Sequence, residues 1–317
     1  MYDLAPLLDP AKNPITYAIP FFLLSLILEA IALTRPEEGI AAGERPRTGY
    51  MMRDFWTSIS MGLGSLVWLT VFKIATFFVY QWVFLNVAPF HLDTSAWWYW
   101  PAVLIALDLA FYCTHRFVHR ANIGWAAHQS HHSSVYMNFG TALRQKWNPW
   151  FDFVFFLPIP LLGFAPWTAY AAFSISLIYQ FCTHTELIDK LPRPIELVFN
   201  TPSHHRVHHG SDPEYLDKNY AGMLIIWDRM FGTFQAEIRR PTYGLTVPVE
   251  TYNPIKLEYG AFARIAGQVR HARTWRERWG YVFGPPGWTP EVSPGRGATT
   301  PASVDTEVAP WRRGFER

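Results

Sequence analysis

The chain reads as an all-α polytopic membrane protein with about four transmembrane elements, one of them a helical hairpin. Three observations predict this class. Half of the residues are hydrophobic and 17% aromatic, and only 16% are charged, against roughly 25% in ordinary soluble domains. Long apolar runs recur between Tyr17 and Thr183, and histidines gather where those runs end. At 317 residues the length fits one large domain or two small ones. A net charge of +2 with no basic stripe excludes a nucleic-acid-binding surface. Cys113 and Cys182 form neither a disulfide framework nor a C-x-x-C zinc or redox motif.

The first run, Tyr17–Leu33, is just long enough to cross a hydrocarbon core of about 30 Å at about 1.5 Å per residue. The preceding MYDLAPLLDPAKNP lacks the basic region of a signal peptide, so this segment is expected to stay as an anchor. Phe55–Asn86 is longer, interrupted by Lys73 and Gln81, and must tilt or extend beyond the bilayer. Glu29 and Lys73 are read as interfacial or inter-helix residues. Trp97–Thr114 is entered through Trp97, Trp98, Tyr99 and Trp100, as expected at a headgroup boundary. Phe151–Thr183 holds Pro158, Pro160 and the breaker Gly163-Phe164-Ala165-Pro166, the pattern of two short helices that enter and leave on one side.

Loop charges orient the spans. Thr34–Asp54 carries Arg35, Arg45, Arg47 and Arg53, whereas Val87–Ala96 carries no lysine or arginine. The positive-inside bias puts the first loop in the cytoplasm and the second outside. His115–Trp150 and everything after His184 then fall on the cytoplasmic side, with every histidine except His91. Beyond Asp189 the composition is that of a soluble domain. Gly260–Gly280 spaces Phe262, Ile265, Val269, Ala272, Trp275 and Trp279 helically among five arginines, fitting either a basic helix on an anionic membrane or a surface helix packed on its own domain. The Pro/Gly/Thr-rich stretch after Pro285 is expected to be disordered.

The chemistry lies in the histidines. His115-x-x-x-His119 closes the third span and His128-x-x-His131-His132 follows it. His184 stands where the hairpin re-emerges, before His205-x-x-His208-His209. On a helix, positions three and four apart share a face, so each group is expected to aim its imidazoles at one place. A structural zinc site closes with four ligands. These nine candidates are too many for one ion and enough for two. Imidazole suits iron, zinc, copper and nickel alike, so spacing alone does not name the metal.

Asp108 lies seven residues before His115 on the same helical face, where its carboxylate can accept the free ring N–H of a ligand histidine or be capped by a neighbouring helix. Glu186 can serve similarly or be solvated, and Asn219 can reach a metal through water or cap a turn. His204 precedes the second HxxHH and is placed around the ligands rather than among them. Arg144 and Lys146 are candidates for docking an acidic electron carrier, while Cys113, Cys182, His91 and His271 carry no assigned role.

The segments CTHRFVHR, AAHQSHHSSVYMNFGTALRQ, HTELIDKLP and FNTPSHHRVHHGSDPEYLDKNYAGMLIIWDRMFGTF resemble the fatty acid hydroxylase/sterol desaturase superfamily over roughly Asp108 to Gln235. Within it the chain is most similar to bacterial, including mycobacterial, C-5 sterol desaturases, a likeness extended by RPTYGLTVPVETYN and GYVFGPPGW. The alkylglycerol monooxygenase branch shares TALRQ and NTPSHHRVHHG. The resemblance implies a cytosolic helical cap on the membrane helices and two non-haem iron ions. It places the iron ligands at His115, His119, His128, His131, His132, His205, His208 and His209, with His184 matching a further family histidine. It also implies O2 as co-substrate, an external electron donor such as a ferredoxin or cytochrome-type protein with its reductase, and a bacterial cell membrane.

The chain then divides into membrane spans over residues 1–114, a catalytic domain over 115–240 containing the hairpin 151–183, a cytosolic segment over 241–284 and a tail over 285–317. The expected reaction is sterol desaturation, with hydroxylation of an alkylglycerol or acyl lipid as the alternative, because one oxidant supports both outcomes. A metal transporter would place histidines on both membrane faces, and a non-catalytic descendant would lack a ligand; neither pattern is present in the sequence.

Overall fold

The computed structural model describes residue 9 and residues 13–33 and 49–290. The regular elements among them are helices, and β pairing is an isolated antiparallel bridge between Gly210 and Tyr243. In chain order the helices are α1 (Pro14–Ala32), α2 (Met52–Asn86), α3 (Tyr99–Arg120), α4 (Asn122–His128), α5 (Phe139–Ala142), α6 (Trp150–Phe156) and α7 (Pro158–Leu161). They continue with α8 (Pro166–Thr183), α9 (Arg193–Val198), α10 (Pro202–His208), α11 (Ile226–Met230), α12 (Pro254–His271) and α13 (Trp275–Phe283).

Helix α1 starts where Asn13 accepts a hydrogen bond from the Ile15 amide at 3.0 Å and Pro14 takes the first helical position. Helix α2 runs unbroken for 35 residues, about 52 Å at 1.5 Å per residue, so it exceeds a bilayer core of about 30 Å. Among the described residues, α1, α2 and α3 are the three helices long and apolar enough to cross a membrane. Their outer faces carry bare aliphatic side chains: Ile27 is 58% exposed, Leu63 62% and Val67 65%, a surface that lipid solvates and water does not. The protein is a polytopic membrane protein.

The aromatic cluster that opens α3 divides. Trp97 is exposed, whereas Tyr99 is fully buried, its hydroxyl accepting from the Ala165 amide at 2.9 Å and bonded to Thr168 at 2.8 Å. Val103, Leu107, Phe156, Ile159, Ala169 and Ala172 complete this core between α3 and the hairpin. The hairpin turns at Gly163, whose φ of +84° lies in the left-handed region, and a Cβ there would stand 2.5 Å from the Phe90 carbonyl oxygen. The Leu92 amide donates to the Gly163 carbonyl at 2.9 Å, so the hairpin tip meets the loop between α2 and α3, which holds His91 and adjoins the end of α3 opposite His115 and His119.

The basic stretch expected as one helix over Gly260–Gly280 is two. α12 ends at His271, and α13 begins at Thr274, whose side chain accepts from the Glu277 amide at 3.1 Å. α12 buries Leu257, Glu258, Ala261 and Ile265, the last two packed with Ala126 of α4, so much of its amphipathic pattern is internal packing. Arg35, Arg45 and Arg47 of the orienting loop and the tail from 291 lie outside the described residues.

Candidate metal centre

The last two turns of α3 carry His115 and His119, and α4 ends on His128. A 3-10 turn holds His131 and His132, His184 caps α8, and α10 carries His205 and His208 with His209 as its cap. All nine side chains are buried, in two groups. His115, His119, His128, His132 and His208 form one, and His131, His184, His205 and His209 the other, with ligand atoms within 4.8 Å of one another in each.

The expectation that each HxxHH aims at one place is corrected here. The first and last histidines of a motif stay together and the middle one crosses over: His131 leaves His128 and His132, and His208 leaves His205 and His209. Adjacent residues on a helix diverge by about 100°. Accordingly the His131 and His132 rings are perpendicular at 5.4 Å, and His208 and His209 perpendicular at 5.3 Å. Each motif therefore serves both groups, which meet where His132 and His209 stack at 4.3 Å.

Backbone carbonyls, which can only accept, fix the ring tautomers. His115 Nδ1 donates to Tyr220 at 2.8 Å, His131 Nδ1 to Arg144 at 3.0 Å, His184 Nδ1 to Gln180 at 2.7 Å and His208 Nδ1 to Lys218 at 3.1 Å. A neutral imidazole has one N–H, so the Nε2 atoms of these rings present lone pairs. Neutrality follows from burial. Desolvation, partly offset by the hydrogen bonds to the Arg144 and Lys218 carbonyls, brings His131 down to about 4 and His208 to about 3.

The bare nitrogens face one another. His131 and His184 Nε2 stand 3.3 Å apart with no proton between them, a repulsive arrangement that a shared cation relieves. His115 and His128 Nε2 are 3.0 Å apart, His128 and His132 Nε2 3.1 Å, and His184 and His205 Nε2 3.0 Å. With metal–imidazole bonds of about 2.1 Å, two ligands of one ion stand about 3.0 Å apart at a right angle and about 3.4 Å at the tetrahedral angle. The Nε2 atoms of His119, His208 and His209 and the Nδ1 atoms of His128 and His205 are buried without a hydrogen-bond partner. Close-set Nε2 atoms in each group, beside buried ring nitrogens left without a partner, fit a metal ion in each group.

The residues expected around the ligands act one step further out. Asp108 accepts from the Met223 and Leu224 amides at 2.7 and 3.0 Å and from Trp227 Nε1 at 2.9 Å, and from no histidine, so the expected direct bond to a ligand ring is corrected. It pins the loop whose Tyr220 carbonyl holds His115. Asn219 likewise clamps backbone, donating to His204 at 3.1 Å and Gln235 at 2.8 Å and accepting from the Gln235 amide at 2.8 Å. Glu186 binds the Tyr243 hydroxyl and pairs with Arg240 at 3.1 Å instead of meeting an imidazole or water. His204 pairs through Nε2 with Glu196 at 2.9 Å and stands outside both groups. Arg144 is 1% exposed and paired with Asp54 at 2.6 Å, and Lys146 pairs with Asp152 at 2.8 Å, so neither cation is free to dock a carrier.

Further buried carboxylates complete the frame; of these Glu29 was singled out from sequence, as an interfacial or inter-helix residue, and Glu258 and Asp228 were not. Glu258 accepts from Ser130 Oγ at 3.0 Å, the Trp147 amide at 2.7 Å and Asn148 Nδ2 at 2.8 Å, and Asp228 holds the Tyr220 and Ala221 amides at 2.8 Å each. Glu29 of α1 accepts from Thr185 Oγ1 at 2.5 Å and the Phe139 amide at 2.7 Å and binds the Tyr50 hydroxyl, tying the first span to the residue after His184. A glutamate on the apolar stripe of α12 was the available signal for Glu258.

Residues 100–233, which contain all nine histidines, match the fatty acid hydroxylase family. The chain is 38% identical over 288 residues to the alkylglycerol monooxygenase of Homo sapiens, covering 89% of this chain and 62% of that protein. It is 37% identical over 278 residues to the alkylglycerol monooxygenase of Danio rerio, covering 87% and 60%. Ornithine lipid hydroxylase OlsE of Rhizobium tropici is 28% identical over 145 residues, covering 41% of this chain and 40% of that protein. The chain thus spans less than two thirds of the length of these relatives, and no solved structure matches it significantly. The histidine-bearing part of the molecule is thus the part that carries the match to the fatty acid hydroxylase family.

Proposed function

We propose that this chain is a membrane-bound oxidoreductase that holds two iron ions at its nine clustered histidines and uses O2 to hydroxylate a lipid of the alkylglycerol class. The observation that carries the reading is the division of nine buried imidazoles into two groups with lone pairs at ligand-edge spacing. The relatives that share this domain over most of the chain are named alkylglycerol monooxygenases. Sterol desaturation, expected from the sequence, gives way to this alternative, because the relatives carry monooxygenase and hydroxylase names.

Iron supplies the hard chemistry when bound, reducing O2 with electrons from an external donor and attacking an unactivated C–H bond. The balance is one C–H bond and one O2, with two electrons and two protons from donor and solvent, giving one C–OH and one water. The protein's part is positional. It keeps the imidazoles neutral by burial, fixes ring rotation through the carbonyls of Tyr220, Arg144, Gln180 and Lys218, and shields the nitrogens from water. The arginines of the Thr34–Asp54 loop support a cytoplasmic histidine face, where a reductase-fed donor such as a ferredoxin or cytochrome has access.

The test is purified, iron-loaded protein incubated with donor, labelled O2 and a panel of alkylglycerols and sterols, read by mass spectrometry. One labelled oxygen in an alkylglycerol is expected, with about two irons per chain. Loss of two hydrogens from a sterol would restore desaturation, and a stable zinc pair without turnover would end the di-iron reading.

A further inference from the structure

Between Asp54 and Asn86, helix α2 carries one charged side chain, Lys73. A charge inside an apolar span is costly unless something answers it. Lys73 lines a cavity between α2, α6 and α8 whose apolar wall includes Phe72, Phe153, Phe156 and Phe173. The other polar groups on this wall already have protein partners. Thr76 Oγ1 donates to the Phe72 carbonyl at 2.8 Å and lies 2.7 Å from the Tyr170 hydroxyl. Tyr80 donates to the Phe153 carbonyl at 2.7 Å, and Asp152, the wall's carboxylate, is paired with Lys146 at 2.8 Å. Among the described residues, none accepts a hydrogen bond from the Lys73 ammonium or pairs with it.

We propose that Lys73 anchors an acidic lipid, an amphiphile whose carboxylate or phosphate meets the ammonium while its acyl chain lies along the phenylalanine wall. Three features select this occupant. The ammonium offers three donors and one positive charge to an oxyanion. The wall beside it is aromatic and apolar, suited to a chain and not to a free anion. The cavity also adjoins the lipid-facing surface, since Phe72 meets the exposed Trp150 edge-on at 4.3 Å and Val154 beside it is exposed. The site is distinct from the metal centre: Tyr170 precedes His184 by 14 residues, about 21 Å along a helix.

The experiment is native mass spectrometry of the full chain, released from detergent with phosphatidylglycerol, oleate or phosphatidylcholine added. Wild type is expected to retain one acidic lipid, and Lys73→Gln to bind it about tenfold more weakly, the size of a lost charge-assisted hydrogen bond. Lys73→Arg and the surface control Lys256→Gln should bind as wild type. Retention of phosphatidylglycerol but not oleate assigns the ligand to the phospholipids, and the reverse to free fatty acids. Equal retention by wild type and Lys73→Gln, or preference for phosphatidylcholine, would overturn the proposal. Thermal melting of the wild type alone gives a reading independent of how Lys73→Gln folds: acidic lipid should raise the melting point over phosphatidylcholine, and no difference would count against the site.

Discussion

The two histidine groups draw on the same motifs but hang from different parts of the molecule. The five-histidine group is oriented by the Lys218 and Tyr220 carbonyls, from a loop in which Asp217 and Asn219 adopt positive φ of 60° and 54°. The four-histidine group is oriented by the Gln180 carbonyl at the end of α8 and the Arg144 carbonyl, whose side chain is tied to α2 through Asp54. The carbonyls that orient one group thus come from a local loop and those that orient the other from α8 and a residue tied to α2, while His115 and His119 of the first group themselves sit on α3. A carboxylate on each ring would orient it more directly, but four buried acids, Asp108, Asp228, Glu258 and Glu29, hold backbone amides instead, and Asp54 holds the Arg144 and Ser134 side chains. The rings then stay neutral donors, and negative charge stays one step away from the nitrogens.

The sharpest test of the difference is ligand loss. A set of five nitrogens can lose one and still hold an ion, whereas a set of four falls below the usual closed site. His131→Ala is expected to abolish turnover and bring iron from about two per chain to about one. His119→Ala should also abolish turnover but keep most of its metal, at weakened affinity. Equal metal loss in both variants, measured by elemental analysis, would show that the groups are equivalent.

Next in size is the support of the four-histidine group. Arg144 and Asp54 are 2% and 7% exposed, so Arg144→Met leaves a buried carboxylate without its cation and should cost about 3–5 kcal/mol. The same change frees the turn that holds His131, so metal affinity should fall first at the four-histidine group. Denaturant unfolding in detergent, with iron titration, reads both effects. An unfolding midpoint within error of wild type would remove Arg144 from the frame.

The matching change on the other side is Asn219→Ala. Alanine in the left-handed region costs about 1–2 kcal/mol, and the lost clamps on His204 and Gln235 add about 1 kcal/mol each. Asn219→Gly removes the clamps but keeps the backbone free, so it should fall between alanine and wild type. If glycine and alanine unfold alike, strain at this position is not a factor.

These supports explain what was legible in the sequence. The apolar helices, the hairpin breaker at Gly163–Pro166 and the nine clustered histidines all follow from patterns within a few residues, because hydropathy and imidazole chemistry are properties of the residues themselves. The crossing of His131 and His208 was not read, although the divergence of neighbouring helical residues contains it. The roles of Asp108, Asn219 and Arg144 were not readable at all in this sense. Each binds backbone or a residue distant in sequence, such as Met223, Gln235 or Asp54, and only the tertiary fold brings those partners near. The break before Thr274 was hidden for a different reason: the apolar period runs through it, while Ala272 leaves the helical conformation and Thr274 caps the start of a new helix.

The last expected effect is on pH and is common to both groups. His131 of the four-histidine group titrates at about 4 and His208 of the five-histidine group at about 3, both lowered first by burial. The unfolded chain takes up protons on these rings below about 6.5, while the folded, metal-free chain does not, so the unfolded state binds more protons and stability falls with pH. The loss runs from about 6.5 down to the folded values, at about 1.4 kcal/mol per pH unit for each ring, and levels off beneath them. Melting of the metal-free protein at several pH values should show this slope, made shallower by His131→Asn. His208→Asn should make it shallower in the same direction, because burial lowers both rings. A slope left unchanged by both variants would mean that burial does not keep these imidazoles neutral, and the supporting backbone would then be what holds the groups in their metal-free form.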